Sequence, residues 1–228
     1  MSSSIRQPRF LPQCRGIGIL FILLANAFGQ TSQVPYFGGP GFTSKQVAYQ
    51  YPGTFSLIRK VDFRNFRFLS FDPIESFSLK NGHYKHDAPG DHQSVDLDSI
   101  HNLGKSSASN GDSVLVLLSW FAGGGSSSQG GVARVFTLSG SRLRVVQDIA
   151  WDTHFQAGQP TESFDATTNT LVVRSAHYIP GDAHCCVSAM DVVTFRWDGT
   201  RLVQTGIQTE LSEYGKREGK TLPGAVAR

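Results

Sequence analysis

The sequence predicts a mainly β domain, an antiparallel meander carrying a duplicated strand–loop–strand–hairpin–strand unit, sandwich- or barrel-like. Three observations predict it. Short runs of aromatic and β-branched residues are separated by Gly, Asn, Asp and Pro. The frame Phe-x-x-x-Gly-x-Arg-Leu occurs twice, at Phe136–Leu143 and Phe195–Leu202. No long stretch shows an apolar stripe of helical period.

The folded region is expected to start near Val47. Val47–Tyr51, Phe55–Ile58 and Val61–Phe68 read as short strands. Phe77–Leu79 and Tyr84 flank Asn81-Gly82, a two-residue turn signal because both central positions of a type I′ turn need positive φ. His83–His92 reads as a polar connection around Pro89-Gly90; its His-x-x-His spacing, with Asp87 or Asp91, is weaker as a metal site than as a solvated loop. Asp96, Asp98, Asn110 and Asp112 lack the Asp-x-Asp-x-Asp-Gly spacing and read as surface turns rather than a calcium site.

The repeat extends beyond its hairpins. Ser113–Phe121 aligns with Thr170–Tyr178 at an offset of 57 residues, and the hairpins align at 59. The second copy therefore has the longer loop, the one containing His184, Cys185 and Cys186, where the first has Ala122–Gly131, a Gly- and Ser-rich stretch expected to be a flexible connection. In a meander alternate connections share an end, so both loops should lie opposite the tight hairpins. Val114–Leu118 is apolar throughout, as suits a strand covered on both faces. Leu143, Val145, Ile149 and Trp151 are expected on one face of their strand. His177 shares a face with Leu171 and Val173 and reads as a satisfied core histidine.

The ends differ from the middle. Arg6, Arg9 and Arg15 precede an apolar run, Ile17–Ala25, followed by Ala27 and Gly29, the pattern of a cleaved signal peptide over residues 1–29. Residues 30–46 read as a flexible linker, 47–211 as a single β-rich domain and 212–228 as a flexible C-terminal tail. The apolar run is too short for a stable membrane span after cleavage. Cys14 precedes it and would leave with the leader. The chain has 21 Lys and Arg against 18 Asp and Glu; without the three leader arginines the balance is neutral, which gives no footprint for nucleic acid. Export to the periplasm or the outside of the cell is the expected destination.

Tyr178-Ile-Pro-Gly-Asp-Ala-His-Cys-Cys-Val-Ser188, followed by Val192–Gly199 with its Trp197-Asp198-Gly199 hairpin, resembles the closing part of the LppP/LprE-type exported proteins of bacteria. The resemblance implies an exported, envelope-associated protein; the family's own function is obscure. Asn110–Leu118 also resembles the turn and apolar strand of calcium-binding propeller repeats.

Cys185 and Cys186 are the two cysteines left in the exported chain. An oxidising compartment favours a bridge, but adjacent Cα atoms lie about 3.8 Å apart, below the usual disulfide window of roughly 4.4–6.8 Å. A vicinal disulfide acting as a structural clamp is the leading reading; buried thiols, metal ligation and a redox switch are the alternatives. Topology gathers His154, Asp152, Asp182 and His184 at the cysteine end, a donor set that suits zinc, although no zinc-site spacing is present. No Gly-x-Ser-x-Gly elbow or phosphate-binding loop occurs, so no catalytic residue is assigned. Three classes of function follow: a non-catalytic exported binding domain, which is favoured; a zinc-binding or metal-dependent hydrolytic protein; and a thiol-redox protein.

Overall fold

The computed structural model describes residues 42–71, 74–107, 111–123, 128–153, 161–183 and 186–222. The expected leader, His154, His184 and Cys185 lie outside the described residues. The strands are β1 (Phe42–Gln50), β2 (Arg67–Phe68), β3 (Phe77–Ser78), β4 (His83–Ala88), β5 (Asp91–Lys105), β6 (Asp112–Gly123), β7 (Ser128–Ser139), β8 (Arg142–Asp152), β9 (Glu162–Asp165), β10 (Thr170–His177), β11 (Ala189–Trp197) and β12 (Leu202–Leu211). One short helix follows, α1 (Glu213–Arg217), with the Ser212 hydroxyl accepting from Gly215 N–H at 3.0 Å as its cap. Among the described residues, no helix is long and apolar enough to cross a membrane.

Every pairing is antiparallel. One sheet has six strands in the order β1-β8-β7-β6-β5-β4, a second has four in the order β12-β11-β10-β9, and β2-β3 is a separate pair. The expected duplication is present, β6-β7-β8 against β10-β11-β12. It extends to the irregularities: Val146 is the extra residue of a bulge on β8 and Thr205 is its counterpart on β12, 59 residues later.

The bulge corrects one expectation. Leu143 and Val145 face one core cluster, whereas Ile149 and Trp151 face another. One inserted residue reverses which side of the sheet every later side chain occupies. Alternation counted across a bulge therefore assigns the second half of the strand to the wrong side.

The two copies stack in the same sense. The face of the first that carries Val114, Val116, Phe136 and Leu143 packs under the preceding chain, Tyr51 to Leu79, where Phe63, Phe68, Phe71 and Phe77 supply the cover. The corresponding face of the second carries Leu171, Val173, Phe195 and Leu202 and packs on the other side of the first copy, against Leu115, Leu117, Ala133, Val135, Ile149 and Trp151. Val114–Leu118 is accordingly buried on both faces, as its composition predicts. The result is a layered, open sandwich. Gln147 joins the layers: its amide donates to Leu202 O at 2.9 Å and accepts from Leu202 N–H at 2.7 Å.

Three boundaries move. β1 begins at Phe42, inside the expected linker 30–46, because Phe42–Gln46 pairs with Gln147–Trp151. The helix α1 lies inside the expected flexible tail 212–228. Gly130 and Gly131 belong to β7 rather than to a flexible loop. The Trp120 ring lies 2.7 Å from where a Cβ on Gly130 would stand, and the Trp151 ring 2.2 Å from one on Gly131. Two indoles thus cover the two glycines, and a side chain at either would collide.

Elsewhere the turn chemistry holds. Asn81 (φ 55°) and Gly82 (φ 87°) close the predicted two-residue turn. His83–His92 is not an irregular connection but the β4–β5 hairpin, with Pro89-Gly90 at its tip. Asp96 and Asp98 sit in β5 and Asp112 opens β6, so these carboxylates are strand residues rather than turn residues.

Candidate functional site at the long-loop end

Comparing the copies position by position locates the site. At the end away from the tight hairpins, the first copy places Leu118, Trp120, Val132 and Ala150 on its covered face. The equivalent positions of the second are Ser175, His177, Asp191 and Thr209. Registers agree: Leu118 pairs with Val132 and Val132 with Ala150, as Ser175 pairs with Asp191 and Asp191 with Thr209. An apolar row has been replaced by a polar one on an unchanged backbone.

The polar row is internally bonded. His177 Nδ1 donates to Asp191 Oδ2 at 3.0 Å, and the Thr209 hydroxyl donates to Asp191 Oδ1 at 2.7 Å. The Asp191 side chain is 4% exposed and that of His177 34%. A buried carboxylate that engages Nδ1 orients the imidazole and leaves Nε2 as the ring nitrogen open to other chemistry. His177 is thus the satisfied inward histidine expected from its strand face, and it is also the exposed tip of the row. Ser175 is fully buried, its hydroxyl 3.4 Å from Asp152 O at the end of β8. Across the interlayer stands Trp151, 2% exposed, whose Nε1 is buried with no hydrogen-bond partner among the described residues.

The loop after β10 is organised by one carboxylate. Asp182 Oδ2 accepts from Ile179 N–H at 3.0 Å and from Ser188 N–H at 2.9 Å, and Oδ1 accepts from the Ser188 hydroxyl. Partial burial pushes this carboxyl up; the Ser188 bonds, the Ile179 N–H and the charge of Lys220 outweigh it and hold the group below the usual carboxylate range. Asp182 ties the two ends of the loop together. Within it Cys186 N–H donates to Ala183 O at 2.9 Å. Ser188 O in turn accepts from Ser212 N–H at 2.9 Å, which seats α1 against the loop.

Of the residues expected to meet here, Asp152, Asp182 and Cys186 are described, Cys186 as half-buried. Asp182 spends both oxygens on its own loop. Among the described residues no group of three or more His, Cys, Asp or Glu side chains could hold a metal ion. The hairpin histidines pair one to one with carboxylates instead: His83 with Asp96 at 2.6 Å and His92 with Asp87 at 2.8 Å, all about half exposed.

Sequence reasoning missed Asp191 and Thr209. The signal was available: in the aligned repeat a Val and an Ala of the first copy become an Asp and a Thr in the second. Asp98 was also missed as a perturbed group. It sits where the β5 register shifts between Leu97 and Ser99 and accepts from the Ser119 hydroxyl at 3.0 Å. Crowding by protein, offset in part by the Ser119 bond and reinforced by Glu162 and Asp96, raises it to about 6.

The model of the LppP/LprE lipoprotein family matches residues 149–200. No curated protein and no solved structure matches the chain. The matched segment runs from the end of β8 through β9, β10, the Asp182 loop and β11 to the Asp198–Arg201 turn, and so includes His177 and Asp191. From the polar row to the second tight hairpin, the chain is similar to the LppP/LprE lipoproteins.

Proposed function

We propose that this is an exported, envelope-associated, non-catalytic binding domain whose recognition centre is the polar end of the interlayer, His177, Asp191, Thr209 and Ser175, with Cys185 and Cys186 joined as a structural clamp in the adjoining loop. The observation that carries the reading is the replacement of four apolar side chains by four polar ones between two copies of otherwise matching register. Burying Ser175 and Asp191 in the interlayer costs stability compared with the apolar solution the first copy uses, so a requirement other than folding favours them. The family match supports export, because the matched family is one of lipoproteins.

The test is native mass spectrometry of the chain recovered from its own cell envelope without reductant, beside a variant Ser175→Leu/His177→Trp/Asp191→Val/Thr209→Ala that restores the first copy's row. The expected result is a chain beginning near position 30, two hydrogens lighter across Cys185-Cys186, retaining a small molecule that the variant loses. A leader still attached in cytosolic material would overturn the export reading. About one zinc per chain, lost on Cys185→Ser, would replace the binding reading with the metal one.

A further inference from the structure

The two edges of the second sheet are unlike. β9 has four residues, whereas β12, Leu202–Leu211, has ten, with Glu210 as its single charged residue. Edge strands are commonly kept from pairing with other chains by being short or by carrying lysine or proline. β4, at one edge of the first sheet, has six residues and exposes Lys85 and Asp87. β12 is long and has no lysine or proline. Its Ile207 pairs with Val193 and shares that residue's inner face, yet is 52% exposed.

The first copy shows what such an edge accepts. Its equivalent strand, β8, takes β1 along its outer edge across the same bulge: Val145, Asp148 and Ala150 pair with Tyr49, Lys45 and Thr43, and Leu143 O accepts from Tyr51 N–H at 2.9 Å. In the second copy the counterpart of Leu143 is Leu202, whose backbone N–H and O are both taken by the Gln147 amide. Beyond that point β11 is the one strand partner of β12 among the described residues. Ser212 N–H donates to Ser188 O. By the alternation of an antiparallel ladder, Gly206, Gln208 and Glu210 therefore turn their backbone groups to β11, and Ile207 and Thr209 turn theirs outward. Their counterparts Asp148 and Ala150 are two of the positions that β1 occupies.

We propose that the outer edge of β12 is the docking surface for a second molecule of the same chain: two β12 strands pair antiparallel about a two-fold axis at Gln208, and two four-stranded sheets become one of eight strands. Self-complementarity selects this occupant. Gly206–Leu211 is the regular part of the strand beyond the bulge. About that axis Ile207 stands opposite Thr209 of the other molecule and Gly206 opposite Glu210, in both directions. Each pair shares a face, the two Glu210 carboxylates are not opposed, and the outward N–H and C=O groups of Ile207 and Thr209 bond one another. Such a pairing is isologous and closes, whereas β12 on β4 of another molecule would run head to tail. It also sets Ile207 of one molecule beside Thr209 of the other, at the rim of the polar row. This goes beyond the binding reading and does not depend on it.

One strand pair is a small contact, so association should depend on concentration. Sedimentation velocity of the chain recovered from its envelope, from about 1 to about 500 μM, should show a monomer–dimer equilibrium. Residue-resolved hydrogen exchange supplies its signature: on dilution the amides of Ile207 and Thr209 should lose protection by about tenfold or more, while those of Gly206, Gln208 and Glu210 keep theirs. Ile207→Pro, which removes an outward N–H and no bond to β11, should abolish the dimer. Ile207→Lys should weaken it by about tenfold or more, and unchanged exchange of the β10 and β11 amides shows that a variant is folded. A chain that stays monomeric throughout would overturn the proposal; protection of the 207 and 209 amides in that monomer would give the edge to another segment of the same chain. A dimer that survives both variants would be joined elsewhere and would overturn it equally.

Discussion

The two copies of the repeat share strand lengths, register and even the position of a bulge, yet they are used differently. The first is covered on both faces. On its second face it carries Leu117, Val135, Ile149 and Trp151, all buried. The equivalent positions of the second copy are Arg174, Thr194, Gln208 and Glu210, which face outward at the end of the stack. On the covered face the relation reverses at the long-loop end, where the second copy becomes polar although Ser175 and Asp191 are still buried. A polar outer face follows from solvent; a buried Ser175 and Asp191 do not. The difference is what the proposed site rests on, with the first copy as scaffold and the second as its bearer.

The largest expected contrast is at one cross-strand pair. In the first copy Arg134 and Asp148 are partners, with Arg134 2% exposed, donating to both Asp148 oxygens at 2.7 Å and to Leu69 O at 2.9 Å. In the second the same pair is Val193 and Ile207, and Ile207 is 52% exposed. Asp148→Ala should cost about 3–5 kcal/mol, because it strands a buried guanidinium. Ile207→Ala should cost within about 0.5 kcal/mol. Urea unfolding of both variants checks the pair; equal losses would dissolve the distinction between scaffold and site copy.

Next is Gly131, whose counterpart in the second copy is Met190. A methyl group on Gly131 would stand 2.2 Å from the Trp151 ring. Gly131→Ala should destabilise by about 1–3 kcal/mol through overpacking, and adding Trp151→Leu should recover part of the loss. Met190→Ala should leave β10-β11-β12 pairing intact by hydrogen exchange.

These residues also show how far the sequence could be read. The repeat, the Asn81-Gly82 turn and the doubly covered Val114–Leu118 strand were legible because each is a local pattern with one physical solution. The bulge was not: Val146 looks like any strand valine, and nothing local says that the count shifts there. Gly130 and Gly131 look like loop residues until the indoles that cover them are known, and those come from neighbouring strands. At the site, the face of His177 was legible from alternation. Its partner Asp191 was legible only through the repeat, as an Asp where the first copy has Val132, because the contact itself is fixed by cross-strand register, which depends on loop length.

Converting the polar row into the first copy's row sharpens the comparison in the other direction. Asp191→Ala alone should destabilise by about 1–3 kcal/mol, since it leaves His177 and Thr209 without their acceptor. Ser175→Leu/His177→Trp/Asp191→Val/Thr209→Ala should be at least as stable as the original and up to about 3 kcal/mol more so, because apolar packing replaces a polar network whose Ser175 and Asp191 are buried. Thermal melts decide it. A quadruple variant less stable than Asp191→Ala would mean that the row serves the fold.

The smallest expected effect is the pH dependence of stability at Asp98, and its sign follows from linkage. The folded chain holds this proton up to about pH 6, whereas the unfolded chain releases it near the ordinary value of 3.8. Between those values the folded state binds more protons, so this group favours folding increasingly as pH falls from about 6 towards 4. Above pH 6 the carboxylate is charged in both states and its repulsion by Glu162 and Asp96 counts against the fold. Asp98 also reaches solvent, and screening should keep the whole effect under about 1 kcal/mol. The difference in urea midpoint between the original chain and Asp98→Asn should therefore be largest at pH 7.5, with the variant more stable, and should shrink towards pH 4.5. A difference that grows on acidification would show that Asp98 is stabilised as the anion, through the Ser119 bond, and that the crowding around it is the lesser influence.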